Sequence, residues 1–469
     1  MGGNLAAHIV LLSWPVVTLA LFLMLPTQRA VIWSVLGAYL FVPSSVGYDF
    51  PVIPTLDKTS VPSVAVFLLA FALARPGEFK WPKSNAVNIL VFMYVFGPLF
   101  TGFANRDAIT IGTYVMPGIT LYASFSAIAE RAIDMMPFIL GVGFLRTERA
   151  HRDILVIFVV AALIYSLPIF YEIVKGPYLQ MTLFQAGSVG FLLQQQRGGG
   201  FRSMVFLGHG LLVSTFLAMS LLAAVSLWRE KRSVWGLPAL VCALYVFGVL
   251  VLNKSVGALS LGIIAVILLV VCSPRRFIQI ALIFALILVT YPIMRANRLV
   301  PVDAILSLSE SASAERGESL GFRLRNEDIL LNRARERPIF GWGAYGRNRV
   351  YVVQDWGPTA DITITDGTWI IELGIYGWVG YLALFGLLCY SFWHVFRLRR
   401  QGISQATAGL AAMLLLNLVD LIPNASLKPI TWMIAGALTG LVRIHRTRKT
   451  ETEVDKVAEA QPARERALA

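Results

Sequence analysis

Residues 154–171 read ILVIFVVAALIYSLPIFY, a run without a single charged side chain. A helix that crosses a bilayer needs about 20 mainly apolar residues, with a range of roughly 17–25. Similar runs recur along the 469 residues, of which 57% are hydrophobic and 14% charged. A soluble domain has roughly 25% charged residues. Because the runs are continuous and do not alternate, they predict an all-α fold, a polytopic transmembrane helical bundle.

The apolar runs predict about 12 or 13 spans, and the count is open at two places. Residues 26–29 separate the first two runs by very little, and residues 111–128 could lie along the membrane interface. The predicted spans are 8–25, 30–42, 61–74, 85–103, 132–145, 154–171, 205–228, 234–252, 255–272, 277–293, 369–396, 406–421 and 429–442.

Lys and Arg concentrate in alternate short loops, and this asymmetry predicts the orientation. The rich loops are 75–83, 146–152, 229–232, 275–276 and 397–400. The intervening short loops hold little more than Lys58, Arg106, Lys254 and Lys428. The rich loops are therefore expected in the cytoplasm. Topology and attraction to anionic membrane lipids explain the net charge of +13, and no nucleic-acid partner is expected.

This orientation divides the chain into four predicted parts. They are an N-terminal transmembrane bundle (1–293), an extracytoplasmic loop containing short helices (294–368), C-terminal transmembrane helices (369–442) and a cytoplasmic, disordered tail (443–469). A polar loop as long as the second part is usually functional or disordered.

Every basic residue of the 294–368 loop is Arg: Arg295, Arg298, Arg316, Arg323, Arg325, Arg333, Arg335, Arg337, Arg347 and Arg349. The planar guanidinium suits two-pronged binding of phosphate or carboxylate. Asp and Glu are also frequent in the loop, so it is not a polycation.

A helix is predicted over residues 322–337, ending where Pro338 disfavours helical geometry in the residue before it. Two interpretations of its arginines are open. Arg323 and Arg325 could bind phosphate, or they could pair on the helix surface with Glu327 and Asp328, at spacings of four and three residues.

Residues 341–346, GWGAYG, fit the pattern G-x-G-x-x-G. A dinucleotide site requires that pattern between a strand and a helix. Here it follows Pro338 in an outer loop. A glycine-rich turn that lets the backbone approach a ligand or a neighbouring helix is favoured.

His209 and Lys254 stand at the predicted outer ends of spans. A polar side chain at membrane depth is a functional candidate, although a lone His more often packs or forms hydrogen bonds. Lys254 could equally anchor its short turn at the interface. The five His residues are dispersed and no metal-binding motif occurs, so metal-independent chemistry without a cofactor is expected.

The order of these motifs resembles the O-antigen ligase and O-antigen/exopolysaccharide polymerase superfamily of bacterial envelopes. The matching residues are Arg323 and Arg325, residues 338–343 (PIFGWG), Asp366, and residues 372–377 (ELGIYG), preceded by 201–210 (FRSMVFLGHG) and 253–259 (NKSVGAL). Two departures stand out. Asp366-Gly367 occupies the place where ligases often have His-Asn, and Val256 that of an Arg. The first departure favours a polymerase.

The resemblance implies a glycosyltransferase of the bacterial inner membrane. An acceptor sugar hydroxyl would attack an undecaprenyl-pyrophosphate-linked saccharide on the outer face. Asp366 or His209 would act as base, and the pyrophosphate would meet Arg323, Arg325, Lys254 and Arg202. The expected partners are the lipid-linked saccharide, the acceptor glycan, membrane lipids, a chain-length regulator and a flippase. The alternatives are an O-antigen ligase acting on lipid A core and a transporter of lipid-linked sugar.

Overall fold

A computed structural model describes residues 2–50, 54–185, 192, 195–197, 199–312, 314–353 and 359–442. Helices dominate these residues: α1 Leu5–Met24, α2 Thr27–Phe41, α3 Ser60–Leu73, α4 Asn85–Phe103, α5 Leu121–Phe144, α6 Glu148–Lys175, α7 Leu179–Phe184, α8 Gly210–Arg229, α9 Ala239–Leu252, α10 Val256–Val271, α11 Pro274–Ala296, α12 Val302–Ala312, α13 Ala314–Glu336, α14 Thr368–Arg397, α15 Gln405–Asp420 and α16 Pro429–Thr439.

The strands are short and form antiparallel two-stranded ribbons in the loops. The pairs are β1 Gly47–Tyr48 with β2 Leu56–Asp57, β3 Ile109–Ile111 with β4 Tyr114–Met116, β5 Gln196–Arg197 with β6 Gly200–Phe201, β7 Ser233–Val234 with β8 Leu237–Pro238, and β9 Tyr351–Val352 with β10 Ala360–Asp361. In the longest ribbon Ile109 lies opposite Met116.

Six helices in the described part of the chain are long and apolar enough to cross a bilayer, and five shorter helices are also apolar. The long ones are α1, α4, α6, α8, α11 and α14 with its short 3₁₀ extension. The prediction of an all-α polytopic membrane bundle is confirmed. The number of crossings stays a prediction.

Helices α8 and α15 form the centre of the bundle. Residues 213–227 of α8 and 406–418 of α15 are buried without interruption. Helix α8 packs against α6, α9, α10 and α15. A helix that is buried all round needs no polar face, which explains why no amphipathic period appears in these stretches.

Helices α5 and α16 approach closely through glycines. A Cβ on Gly141 would lie 2.3 Å from the carbonyl oxygen of Met433, and one on Gly436 would lie 2.2 Å from that of Phe138. Small residues that let backbones meet are a common means of helix association in membranes. This pair ties the last helix of the described residues to the N-terminal half.

The structure corrects two predicted boundaries. Residues 111–128 do not form one interfacial segment, since β3 and β4 make a ribbon and α5 then begins at Leu121. Helix α13 begins at Ala314, eight residues before the predicted start, and ends at Glu336 as the proline after Arg337 requires. The predicted tail 443–469 lies outside the described residues.

Candidate functional site

Helix α14 is interrupted at Gly377, whose φ of 63° and ψ of −160° are not helical. An interrupted helix loses backbone hydrogen bonds on both sides of the break. The segment 338–343 (PIFGWG) supplies replacements. Four hydrogen bonds join it to the break: Trp342 N–H to the Gly374 carbonyl (2.9 Å), Gly343 N–H to Ile375 (2.9 Å), Trp378 N–H to Pro338 (2.7 Å) and Val379 N–H to Ile339 (3.1 Å).

Gly341 and Gly377 permit this contact by facing each other. A Cβ on Gly341 would lie 2.4 Å from the Ile375 carbonyl oxygen, and one on Gly377 would lie 2.4 Å from that of Ile339. Both residues have positive φ, at 67° and 63°. The prediction of a glycine-rich turn for close backbone approach is confirmed, and the neighbour is helix α14. The glycines therefore build the loop onto the bundle.

Several loop arginines support the same segment. The guanidinium groups of Arg333 and Arg337 lie 3.3 and 4.5 Å from the ring centre of Trp342. Arg347 is fully buried and donates to the carbonyl groups of Trp342, Asp107 and Pro117 at 2.8–3.1 Å. These arginines hold the loop together.

Glu372, the acidic residue of the 372–377 motif, forms a buried ion pair. Its carboxylate lies 2.8 Å from the guanidinium of Arg131 in α5. That guanidinium also lies 4.4 Å from the ring centre of Tyr94 and 4.2 Å from that of Tyr376. The pair fixes the first turns of α14 against α5, which explains the motif as a positioning device.

Arg323 and Asp366 form an ion pair that solvent reaches. The guanidinium Nε lies 3.2 Å from the carboxylate, and each side chain is 40% exposed. Arg323 also donates to the carbonyl of Pro423 at 3.3 Å and to the side chain of Asn424 at 3.4 Å. Three groups thus hold the Arg323 guanidinium where α14 begins, and part of the Arg323 side chain is exposed to solvent.

The surface pairs considered for α13 do not form. Arg323 turns to Asp366 and not to Glu327, while Asp328 lies 3.0 Å from Arg295 of α11. Arg325 is exposed on the same helix. The helix therefore presents Arg323 toward the bundle and Arg325 toward solvent, because residues two apart on a helix point in different directions.

The sequence suggested Glu327 of α13 only as a surface partner of Arg323. It is buried, accepts a hydrogen bond from the Trp369 indole at 3.2 Å, and lies 3.7 Å from Arg295. Burial raises the pKa of this carboxyl to about 7, although the indole and the Arg295 guanidinium act in the opposite direction. A carboxyl with a pKa near neutrality is suited to exchanging protons.

Arg323, Glu327 and Asp366 line one cavity of about 160 Å³. Its other walls include Tyr291, Phe322 and Ile422. One wall is thus cationic and acidic, and the rest is largely apolar. This combination suits a charged group at the end of an apolar chain.

The loop before α8 carries the other candidates and is held by two buried residues. Glu172 accepts hydrogen bonds from the Ser203 hydroxyl and from the backbone N–H groups of Met204 and Val205, at 2.7–2.9 Å. Asn253 accepts from the Ser203 N–H at 2.8 Å. Val205 has a φ of 45°, so the loop turns sharply here.

His209 caps α8, and Arg202 and Lys254 lie beside it. The His209 Nδ1 accepts the N–H of Leu211 at 3.1 Å, which leaves the proton of a neutral ring on Nε2. Arg202 packs against the first residue of α8, and Lys254 lies against Gly200 in β6. The structure thus places Arg202, His209 and Lys254 around the loop before α8, and none of them lines the cavity of Asp366.

A polar network runs from Arg323 to α8 at this end of the bundle. The Asp420 carboxylate accepts from Asn424 at 2.8 Å and from Ser426 at 2.7 Å, and it interacts with Thr215 of α8. Asn424 in turn accepts from Arg323. The 421–428 loop between α15 and α16 therefore connects the Arg323 side to the start of α8.

Within the described residues, no three His, Cys, Asp or Glu side chains are grouped so that they could hold a metal ion. The candidate site consists of cations and carboxylates at one end of the helical bundle.

The fold and this site define an integral membrane protein with a polar, charged entry between its helices. Residues 240–385 match the family model described as O-Antigen ligase. The match spans α9 to the middle of α14, which includes Arg323, Asp366 and the break at Gly377. It confirms the resemblance to the O-antigen ligase and polymerase superfamily and supports a glycosyltransferase-like function. No curated protein matches the chain.

Proposed function

We propose that the protein is a polysaccharide polymerase of the bacterial inner membrane. It takes saccharide units from an undecaprenyl-pyrophosphate-linked donor and transfers them to an acceptor sugar on the outer face, without a metal or another cofactor. The observation that carries the proposal is the 3.2 Å pair of Arg323 and Asp366 in the wall of a partly apolar cavity. A guanidinium for a pyrophosphate, a carboxylate for a hydroxyl and an apolar wall for a lipid fit the three parts of this reaction.

The proposed step is a substitution at the anomeric carbon. The acceptor oxygen bonds to that carbon, the bond from the carbon to the pyrophosphate oxygen breaks, and the hydroxyl proton passes to a carboxylate. The leaving group carries away the electron pair as lipid pyrophosphate. Arg323 stabilises the developing negative charge, an effect that typically lowers barriers by about 3 kcal/mol per fixed donor. Arg325, Arg202 and Lys254 are the further cations proposed to meet the pyrophosphate.

Asp366 is the base that the proposal favours, because it is exposed to the cavity and already beside the cation. Glu327 lines the same cavity and is the second carboxyl to consider. His209 is less suited, because capping α8 occupies the only basic nitrogen of its neutral ring.

An O-antigen ligase is the second candidate, and the match to the family model described as O-Antigen ligase is compatible with it as well as with a polymerase. Its donor would be the same and its acceptor would be lipid A core. A transporter of lipid-linked sugar is disfavoured, because transporters bind substrate near the membrane midplane. The open ion pair here lies instead where α14 begins.

Deleting the gene separates these functions through the glycan that accumulates on its lipid carrier. Single repeat units on the carrier are expected for a polymerase, and full-length glycan on the carrier would indicate a ligase. Complementation with Asp366→Asn should leave the same product as the deletion. Unchanged outer-face lipid-linked glycan in the deletion strain would contradict both enzymatic functions.

A further inference from the structure

A second cavity, of about 150 Å³, lies at the same end of the bundle. It is enclosed by α2, the start of α3, the residues around the start of α8, and the start of α16. Lys58 and Lys428 both line it, together with Tyr39, Ser44 and Asp57. Two cations that share one small cavity require an explanation, because burying a charge without a partner is costly.

Neither lysine has an acidic partner within ion-pair distance among the described residues. Both side chains are half-buried, and Lys58 donates to the carbonyl of Phe206 at 2.7 Å. Asp57 also lines the cavity, but its Oδ1 accepts the N–H groups of Thr59 and Ser60 at 2.8 and 2.9 Å and caps α3. The acid present therefore has another structural role.

The electrostatics of the cavity favour an anion. Burial, together with the charge of Lys428, holds the pKa of Lys58 well below its ordinary value. Burial also lowers the pKa of Lys428, although Asp134 and Asp57 act against this change. An anion between the two ammonium groups would remove the repulsion and restore both charges.

We propose that Lys58 and Lys428 form a second phosphate-binding site of this protein. Lys binds phosphate as a point charge. The hydroxyls of Ser44 and Tyr39 also line the wall, where they donate to the Gln180 side chain at 3.0 Å and to the Leu212 carbonyl at 3.4 Å.

The 421–428 loop places this site in relation to the first one. Its Pro423 and Asn424 bond Arg323, and its last residue is Lys428. A transferase joins two substrates and needs a place for each. The lysine site would hold a phosphate of the second, lipid-linked substrate. The assignment of that phosphate to a lipid-linked substrate rests on the proposed function, whereas the phosphate site itself does not.

The test is calorimetric titration of the purified full-length protein, in detergent, with inorganic pyrophosphate. Wild type should bind two equivalents. The double variant Lys58→Met/Lys428→Met should lose one, and Arg323→Met should lose the other. Lys175→Met, which removes an exposed lysine at the end of α6, should still bind two. If the lysine double variant loses one equivalent and Arg323→Met loses none, the lysine site is upheld and the Arg323 site is contradicted.

A folding control separates binding from a structural role. Without ligand, the double variant should keep its thermal midpoint or raise it, since two desolvated like charges disappear. The double variant Lys58→Arg/Lys428→Arg should still bind the second equivalent of pyrophosphate. If Lys58 serves only to hold Phe206, the variants should melt lower and still bind two equivalents, which would overturn the proposal.

Nanodiscs distinguish the sources of the phosphate. If anionic phospholipid headgroups occupy the site, the second equivalent should vanish in phosphatidylglycerol discs and be present in detergent. If the site serves a substrate, both equivalents should persist in the discs. Equal binding by wild type and the folded double variant in detergent would refute the site under either source.

Discussion

Asp366 and Arg323 stabilise each other's charges where solvent still reaches both. Exchange of Asp366 for Asn keeps the shape and removes the negative charge and the proton acceptor. Loss of a general base typically lowers rates by about 10²–10⁴-fold. We expect Asp366→Asn to stop polymer formation while the protein still inserts, and His209→Ala to weaken it less. Polymer length on gels and membrane abundance on blots measure the two effects. Normal polymer from Asp366→Asn with none from His209→Ala would reverse the assignment.

Arg323 should matter to the rate more than its neighbours on α13. Removal of one fixed donor to developing charge typically costs about 10²–10³ in rate. Arg323→Ala should show this loss, and Arg323→Lys should recover little because Lys lacks the planar fork. Arg335→Ala on the same helix is the control, since among the described residues its guanidinium bonds Asn332 and the Ala296 carbonyl. The measurement is polymer yield at equal protein level, and wild-type yield from Arg323→Ala would refute phosphate binding there.

Glu327 should make stability depend on pH. Its carboxyl has a raised pKa of about 7 in the folded protein, against an ordinary 4.5. The folded state then holds the proton more tightly. The contribution of Glu327 to stability therefore falls as pH rises from 4.5 to about 7, and it is constant on either side of that range. The shift corresponds to a loss of up to about 3 kcal/mol.

Thermal midpoints in detergent between pH 5 and 8 measure this effect, with Glu327→Gln as the matched variant. Wild type should melt lower at pH 8 than at pH 5, and the Gln variant should show a flatter profile. Parallel profiles for the two proteins would show that Glu327 is ionised throughout.

At the scale of elements, the break in α14 explains two separate sequence motifs at once. The 338–343 segment and the 372–377 motif form a single unit, joined by reciprocal backbone hydrogen bonds. A helix that ends and restarts within a membrane must have its freed backbone groups bonded by protein. The loop segment does this, and in doing so it brings the end of α13 against α14.

Ala substitutions should distinguish a glycine of this contact from a glycine elsewhere in a helix. Gly377 has backbone angles that are nearly restricted to glycine, which cost about 1–3 kcal/mol for other residues, and its Cβ would clash with Ile339. We expect Gly377→Ala to lower the thermal midpoint and the yield of folded protein. Gly248→Ala in α9, where a Cβ meets nothing within 4 Å, should be neutral or stabilising. Equal behaviour of the two variants would contradict the close contact.

At the scale of the whole molecule, the membrane orientation remains a prediction that labelling can test. The expected arrangement has the 294–368 loop outside and the C-terminal tail inside. The natural Cys242, Cys272 and Cys389 are first replaced, and single cysteines are then placed at Ser311 or Thr450. An impermeant thiol reagent added to whole cells should label the first and not the second, because Lys and Arg loops are retained in the cytoplasm. Labelling of only the second would invert the map.

The sequence alone determined the class of the protein and the position of its helices. In a membrane the backbone groups of an apolar run must be bonded within the run, so each of these runs predicted a helix. Pro338 predicted the end of α13 because its ring excludes a helical residue before it. The order of weak motifs indicated the superfamily, because each motif occurs at the same point relative to the spans.

Only the tertiary structure decided which polar residues meet. Glu327 and Arg323 stand one helical turn apart, and their spacing suggested a surface pair. Contacts with Trp369 and Asp366, about 40 residues away in sequence, draw them to different partners. The sequence could not place Lys58 beside Lys428 either, since the packing of α3 and α16 in the bundle brings them together. Helix period constrains neighbours within one element, whereas contacts between elements depend on packing that no local pattern encodes.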